Sequence, residues 1–104
     1  MRILATNWHP FQRPSPGAAL WHLAASNKAI ELDPQYAMAY ITRALAYREL
    51  KQYDMAITDC TKAIEIDPKS ALAYFNRGHA YLNMGKQKEA EADFAKAKML
   101  HEGN

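Results

Sequence analysis

KAIELDP, residues 28–34, returns as KAIEIDP at residues 62–68 with one change, leucine to isoleucine. The copies start 34 residues apart, and another such step reaches Lys96 and Ala97, where the text decays to KAKMLHE. A fixed period of this length marks a stacked repeat, in which each unit is one supersecondary element that buries its apolar face against its neighbours. Residues 37–70 align on 71–104 without a gap. The same residue recurs at Ala37 and Ala71, Ala39 and Ala73, Tyr40 and Tyr74, Arg43 and Arg77, and Ala46 and Ala80. It recurs again at Tyr47 and Tyr81, Ala56 and Ala90, Asp59 and Asp93, Lys62 and Lys96, and Ala63 and Ala97.

The shared positions have a helical rhythm. Tyr40, Ala44 and Tyr47 fall on one face of a first helix, as do Tyr74, Gly78 and Tyr81. Ala56, Cys60 and Ala63 mark a second helix, matched by Ala90, Phe94 and Ala97. Each unit is thus predicted to be two helices joined by a short turn, near Leu50-Lys51-Gln52 in one and Met84-Gly85-Lys86 in the next. Asp33-Pro34 and Asp67-Pro68 end the preceding helices, because proline cannot extend the ladder and biases the residue before it away from helical geometry. Small residues at Ala44, Ala56, Ala63, Gly78, Ala90 and Ala97 let helix backbones approach closely. The recurring charges suggest that stacking brings Asp59 of one unit beside Arg77 of the next.

At these residues the chain resembles the tetratricopeptide repeat family. The family's aromatic, small and proline positions are met by Tyr40, Ala44, Tyr47, Ala56, Ala63 and Pro68. In the next unit Tyr74, Gly78, Tyr81, Ala90, Phe94 and Ala97 meet them. Departures are Cys60 for an aromatic, Arg43 and Arg77 for leucine, and Glu102 for the last proline. The resemblance implies an all-α fold of antiparallel helix hairpins stacked as a short right-handed solenoid.

The first unit is only half present. Its tail fits the repeat, but Thr6, His9, Pro10 and Arg13 stand where tyrosine, leucine, glycine and tyrosine belong, and Pro10, Pro14 and Pro16 rule out a regular helix. Ser15-Pro16 suits an N-cap and first turn, opening a lone helix over 16–32. The expected organisation is an irregular tail at 1–15, a half repeat at 16–36, and full repeats at 37–70 and 71–104. The tail reads as a non-native leader or an altered gene start. The lack of acidic residues before Glu31 is a faint transit-peptide feature, opposed by three prolines in 10–16 and little serine.

Composition narrows function further. With 49% apolar and 23% charged residues and a net charge of +2, the chain reads as a soluble domain with no nucleic-acid footprint. The single Cys60 excludes an internal disulfide and suits a reducing compartment, the cytoplasm. No apolar stretch is long enough to span a membrane, and no secretory signal precedes the helices. Nucleotide-binding, nucleophile-elbow and zinc-protease motifs are missing, and His9, His22, His79 and His101 are too scattered for a metal site. Cys60 reads as a small core residue. No enzyme activity, cofactor or metal is expected.

The resemblance places a concave groove on the first helices of the units. Its residues here are Met38, Ile41, Thr42, Leu45, Arg48 and Glu49, followed by Leu72, Phe75, Asn76, His79, Leu82 and Asn83. Met38, Ile41, Leu45, Leu72 and Phe75 make its upper half an apolar stripe. Some family members bind the acidic EEVD tails of heat-shock chaperones through lysine, asparagine and arginine at such positions. Here Asn76 alone resembles that clamp, so an apolar peptide or an amphipathic helix is the expected ligand. Residues 1–14, with Ile3, Leu4, Trp8 and Phe11, or a neighbouring copy, are the competing occupants. Both ends of the stack look uncovered: Leu20, Leu23 and Ile30 at one, Phe94, Met99 and Leu100 at the other. That pattern favours a homodimer or larger homo-oligomer. RNA reading by related helical repeats uses a 35-residue spacing and a basic, polar groove, neither of which is present.

Overall fold

A computed structural model of the chain describes residues 16–103. Five helices follow one another: α1 (Pro16–Leu32), α2 (Ala37–Glu49), α3 (Tyr53–Ile66), α4 (Ala71–Asn83) and α5 (Gln87–Glu102). No strand occurs among the described residues. Consecutive helices pack on one another, and α2 also touches α4. The molecule is the expected all-α stack, with α2–α3 and α4–α5 as hairpins and α1 as a single helix before them. The tail, Ser15 included, lies outside the described residues.

The two connections between units are the same turn written twice. Asp33 Oδ1 accepts the Gln35 backbone N–H at 3.1 Å, and Asp67 Oδ1 accepts that of Lys69 at 3.1 Å. Each aspartate thereby holds the chain in an Asx turn while the following proline prevents helix continuation. Ser70 then caps α4, its Oγ accepting the Ala73 N–H at 3.2 Å.

Inside the hairpins, the first helices end in paired Schellman bonds. Gln52 and Lys51 donate to the Tyr47 and Arg48 carbonyls at 2.8 and 2.9 Å; Lys86 and Gly85 donate to Tyr81 and Leu82 at 2.9 and 3.0 Å. The pivot must be left-handed. Gly85 (φ 79°) meets this freely, whereas Lys51 (φ 64°) holds a Cβ against the following carbonyl. Lys51→Gly should therefore raise stability by about 1 kcal/mol, and Gly85→Ala should lower it by a similar amount. Nothing lies within 4 Å of the Cβ that a residue at Gly85 would carry, so the effect is of the backbone alone. Thermal midpoints that move in the same direction for both variants would contradict this.

Alanine sets the spacing of the helices. Tyr40, Ile41, Ala63 and Ala73 form one buried cluster; Ala44, Ala56, Cys60 and Ala80 form a second. Ala73 and Ala80 both come from α4, so α4 is the lid of the 37–70 unit. In the last unit Gly78 has the same duty: a Cβ there would stand 2.7 Å from Phe94 Cε1, and its absence lets the ring settle on α4.

The recurring charges pair differently from the expectation. Arg43 donates to Asp59 through Nε and Nη2, both at 2.8 Å, and Arg77 donates likewise to Asp93 at 2.8 and 2.9 Å. The pairs close within a unit, so Asp59 is not the partner of Arg77. The link across units is made by the third guanidinium nitrogen. Arg43 Nη1 donates to Asn27 Oδ1 on α1 at 2.9 Å, and Arg77 Nη1 donates to Thr61 Oγ1 on α3 at 3.1 Å. Each guanidinium also sits over two tyrosine rings of its own helix, at 5.6 and 5.9 Å for Tyr40 and Tyr47 and at 5.5 and 5.9 Å for Tyr74 and Tyr81. These bidentate bonds raise the pKa of both arginines, against the opposing effect of burial.

Candidate functional site

The stripe on α2 and α4 is real but narrower than the residue pattern implies. Met38, Leu45, Leu72 and Phe75 are half exposed, at 46%, 39%, 45% and 46%. Their spacing of seven on α2 and three on α4 keeps each pair on one helix face. Thr42 and His79 are partly buried at its edge. Two expected groove residues belong elsewhere. Ile41 is only 2% exposed and packs in the cluster with Ala63 and Ala73, because α4 lies over it. Asn76 is buried too: its Nδ2 donates to the Leu72 carbonyl at 3.0 Å and its Oδ1 accepts from Arg48 Nη1 at 3.5 Å. Its amide is engaged inside the fold.

The residues expected at the ends divide in the same manner. Leu20 and Met99 are exposed, while Leu23, Phe94 and Leu100 are partly buried. Phe94 belongs to an aromatic group with Phe75 and His79, with ring centroids 5.8 and 5.1 Å away. Around that group a cavity of about 610 Å³ opens between α4 and α5, lined by Leu72, Phe75, Phe94, Ala97, Lys98 and His101 as well as Ala71. Lys98 and His101 were not singled out by the repeat pattern. The available signal was their spacing, four and seven residues after Phe94 on the same helix face.

The titratable groups offer little chemistry. Burial pushes the Cys60 thiol up to about 12, so it stays protonated and behaves as a small apolar side chain. Desolvation, and secondarily the charge of Arg48, lowers the His79 pKa, and its ring packs edge-on against Phe75 and Phe94. Among the described residues no group of histidine, cysteine and carboxylate side chains could hold a metal ion. No helix there is long and apolar enough to cross a membrane.

Comparison with known proteins follows the same geometry. A "TPR repeat" profile matches residues 44–85, and "Tetratricopeptide repeat" profiles match residues 25–58 and 71–104. The second such domain of Spaghetti (RPAP3), solved with the HSP90 peptide SRMEEVD, is 32% identical with a TM-score of 0.77, over 81% of this chain and 78% of that one. This chain is a member of the tetratricopeptide repeat family. The Arabidopsis OM64 TPR domain is 40% identical with a TM-score of 0.75, covering 79% of this chain and 68% of that one. The TPR2B domain of yeast Sti1, solved as a pHsp70 complex, is 31% identical with a TM-score of 0.73, covering 75% and 62%. A search of curated protein sequences returns no match.

In this tetratricopeptide repeat domain the resemblance pointed to α2 and α4, whose apolar residues the structure divides between exposed and buried. It could not separate Met38 and Leu45 from Ile41. The side of a helix that a following unit covers depends on the stacking of that unit, and the helical period alone is blind to it.

Proposed function

We propose that this domain is a protein–protein interaction module that holds an apolar peptide, or the apolar face of an amphipathic helix, along α2 and α4. The observation that carries this reading is the row of four half-exposed apolar side chains, Met38, Leu45, Leu72 and Phe75, on adjacent helices. Such a row is costly to leave in water, at about 25 cal/mol per Å² of apolar surface. The peptides solved on Spaghetti (RPAP3) and yeast Sti1 support the general mode. They do not transfer the ligand's chemistry. Ile41, Leu45 and Leu72 stand where an acidic tail would require lysine or asparagine, and Asn76 is already bonded internally. An acid-rich peptide therefore has few partners here, and side chains of leucine or methionine type fit better. The setting we propose is a reducing, cytoplasmic one, in keeping with the buried lone Cys60. A pull-down with wild type beside Leu45→Glu tests the groove. Partners captured by wild type should be lost from the variant while its circular dichroism melt stays unchanged, and equal capture would reject the groove.

A second reading, self-assembly through the ends, is favoured by Leu20, Trp21 and Met99, which are 56%, 78% and 57% exposed. Light scattering at micromolar concentration should then show a dimer or larger species, and Met99→Lys/Leu100→Glu should reduce it. A wild type that stays monomeric sinks this reading. A variant that stays dimeric moves the contact to Leu20 and Trp21 on α1.

A further inference from the structure

Among the described residues, Arg48 is the arginine that the fold leaves without a carboxylate. Arg43 and Arg77 each close a bidentate pair within their unit, and they hold the same place one period apart. Arg48 does not recur: Leu82 takes its place in the next unit, so stacking requires no cation there. The ion pairs between described residues are Lys28–Glu31, Arg43–Asp59, Lys62–Glu65 and Arg77–Asp93, and none includes Arg48. Its side chain is nevertheless partly buried, and its hydrogen bond is long, from Nη1 to Asn76 Oδ1 at 3.5 Å. A guanidinium carries a planar fork of N–H donors suited to a carboxylate, and most of that capacity is unspent here.

The unpaired charge lies in the groove. Leu45 is one turn before Arg48 on the same face of α2, and the bond to Asn76 carries the guanidinium across to α4. Burial first, and then the charge of Arg48, lower the His79 pKa, so that charge is felt at the ring that packs against Phe75 at 4.5 Å. Asn76 stands between two exposed leucines of α4, Leu72 and Leu82, so apolar surface continues on both sides of the cation. The missing counter-charge also discriminates between occupants. Residues 1–14 contain no aspartate or glutamate, and they would bring Arg2 and Arg13 towards a like charge. A run of carboxylates would satisfy one cation and leave the rest unpaired against apolar side chains.

We propose, building on the groove reading above, that Arg48 selects the ligand: an amphipathic helix of a partner protein in which one aspartate or glutamate side chain stands between leucine- or methionine-type anchors. The carboxylate oxygens meet the guanidinium fork while the anchors cover the apolar stripe. Asn76 keeps its bond to the Leu72 carbonyl, so the carboxylate displaces nothing on which the fold depends. Because exposed apolar side chains lie on both sides of Asn76, the recognised group is a side chain inside the segment and not a chain terminus.

Stapled fluorescent helices with a leucine stripe, amidated at the C-terminus, test this by anisotropy against the whole chain. A single glutamate, or glutamine in its place, is stepped through the positions beside the stripe. At the best position glutamate should bind about tenfold more tightly than glutamine, a difference of roughly 1.4 kcal/mol. Arg48→Gln should erase that preference, and Arg48→Lys, which keeps the charge without the fork, should retain part of it. Lys88→Gln, which removes an exposed cation on α5, should leave it intact. Equal binding of the two peptides at every position, with both lost on Leu45→Glu, would overturn the choice of ligand and leave the groove standing. Binding of no peptide would reject the groove and this proposal together, and a preference that survives Arg48→Gln would overturn the role of Arg48. A glutamine peptide with a free C-terminal carboxylate that matches the glutamate peptide would overturn it in favour of a chain terminus. Equal competition by a peptide of residues 1–14 would overturn it in favour of the chain's own tail, and binding that weakens as the chain is concentrated, in favour of a second copy.

Discussion

Arg43→Met should destabilise the domain by about 3 kcal/mol, more than any surface change of similar size. The substitution keeps an apolar stem but removes every donor, and Asp59, whose side chain is only 5% exposed, is left with no counter-charge in a dry site. Arg43 also bridges three helices: it lies on α2, pairs with Asp59 on α3 and donates to Asn27 on α1. Two tyrosine faces lose their cation at the same time. Arg77→Met should act in the same way through Asp93 and Thr61. The double variant Arg43→Met/Asp59→Leu should recover much of the loss, because the main penalty is an unpaired buried charge rather than the absence of attraction. Urea melts of the two single variants and the double variant check this. An Arg43→Met midpoint close to wild type would mean that the pair is solvated in solution.

Ala63→Leu should cost about 1–3 kcal/mol, and Lys62→Leu beside it should cost little. Ala63 has no exposed surface and lies in one buried cluster with Tyr40, Ile41 and Ala73, so three added carbons must push the α3 and α4 faces of that cluster apart. Lys62 keeps 43% of its side chain in solvent and pairs only loosely with Glu65, at 3.9 Å, so an apolar side chain there displaces nothing. Thermal midpoints should separate clearly, with Ala63→Leu the lower. Equal shifts at the two positions would mean that the helix is rotated from the arrangement described.

Much of this architecture was legible before any coordinates. The period of 34 residues, the Asp-Pro pairs and the Gly85 pivot act over one to six residues, and their steric consequences hold wherever the chain goes. The alanines at 44, 56 and 63 likewise declared which faces touch, since helix periodicity is local. Lys51 shows the limit even here: the turn is that of Gly85, although the residue at its left-handed pivot gives no sign of it.

The charged pairs and the exposed stripe were settled only by tertiary structure. Arg43 and Arg77 recur with Asp59 and Asp93 at constant spacing, so within-unit and between-unit pairing are indistinguishable in the text. The crossing of two helices selects the first, and Asn27 and Thr61 receive the remaining donor. Ile41 and Phe75 make the same point about the candidate site. They hold equivalent places in successive units, yet one is core and the other is half in water, because α4 follows Ile41 and no described helix follows Phe75 in the same way. Burial in a stacked repeat is a property of the neighbour as much as of the residue, and that neighbour lies a full period away along the chain.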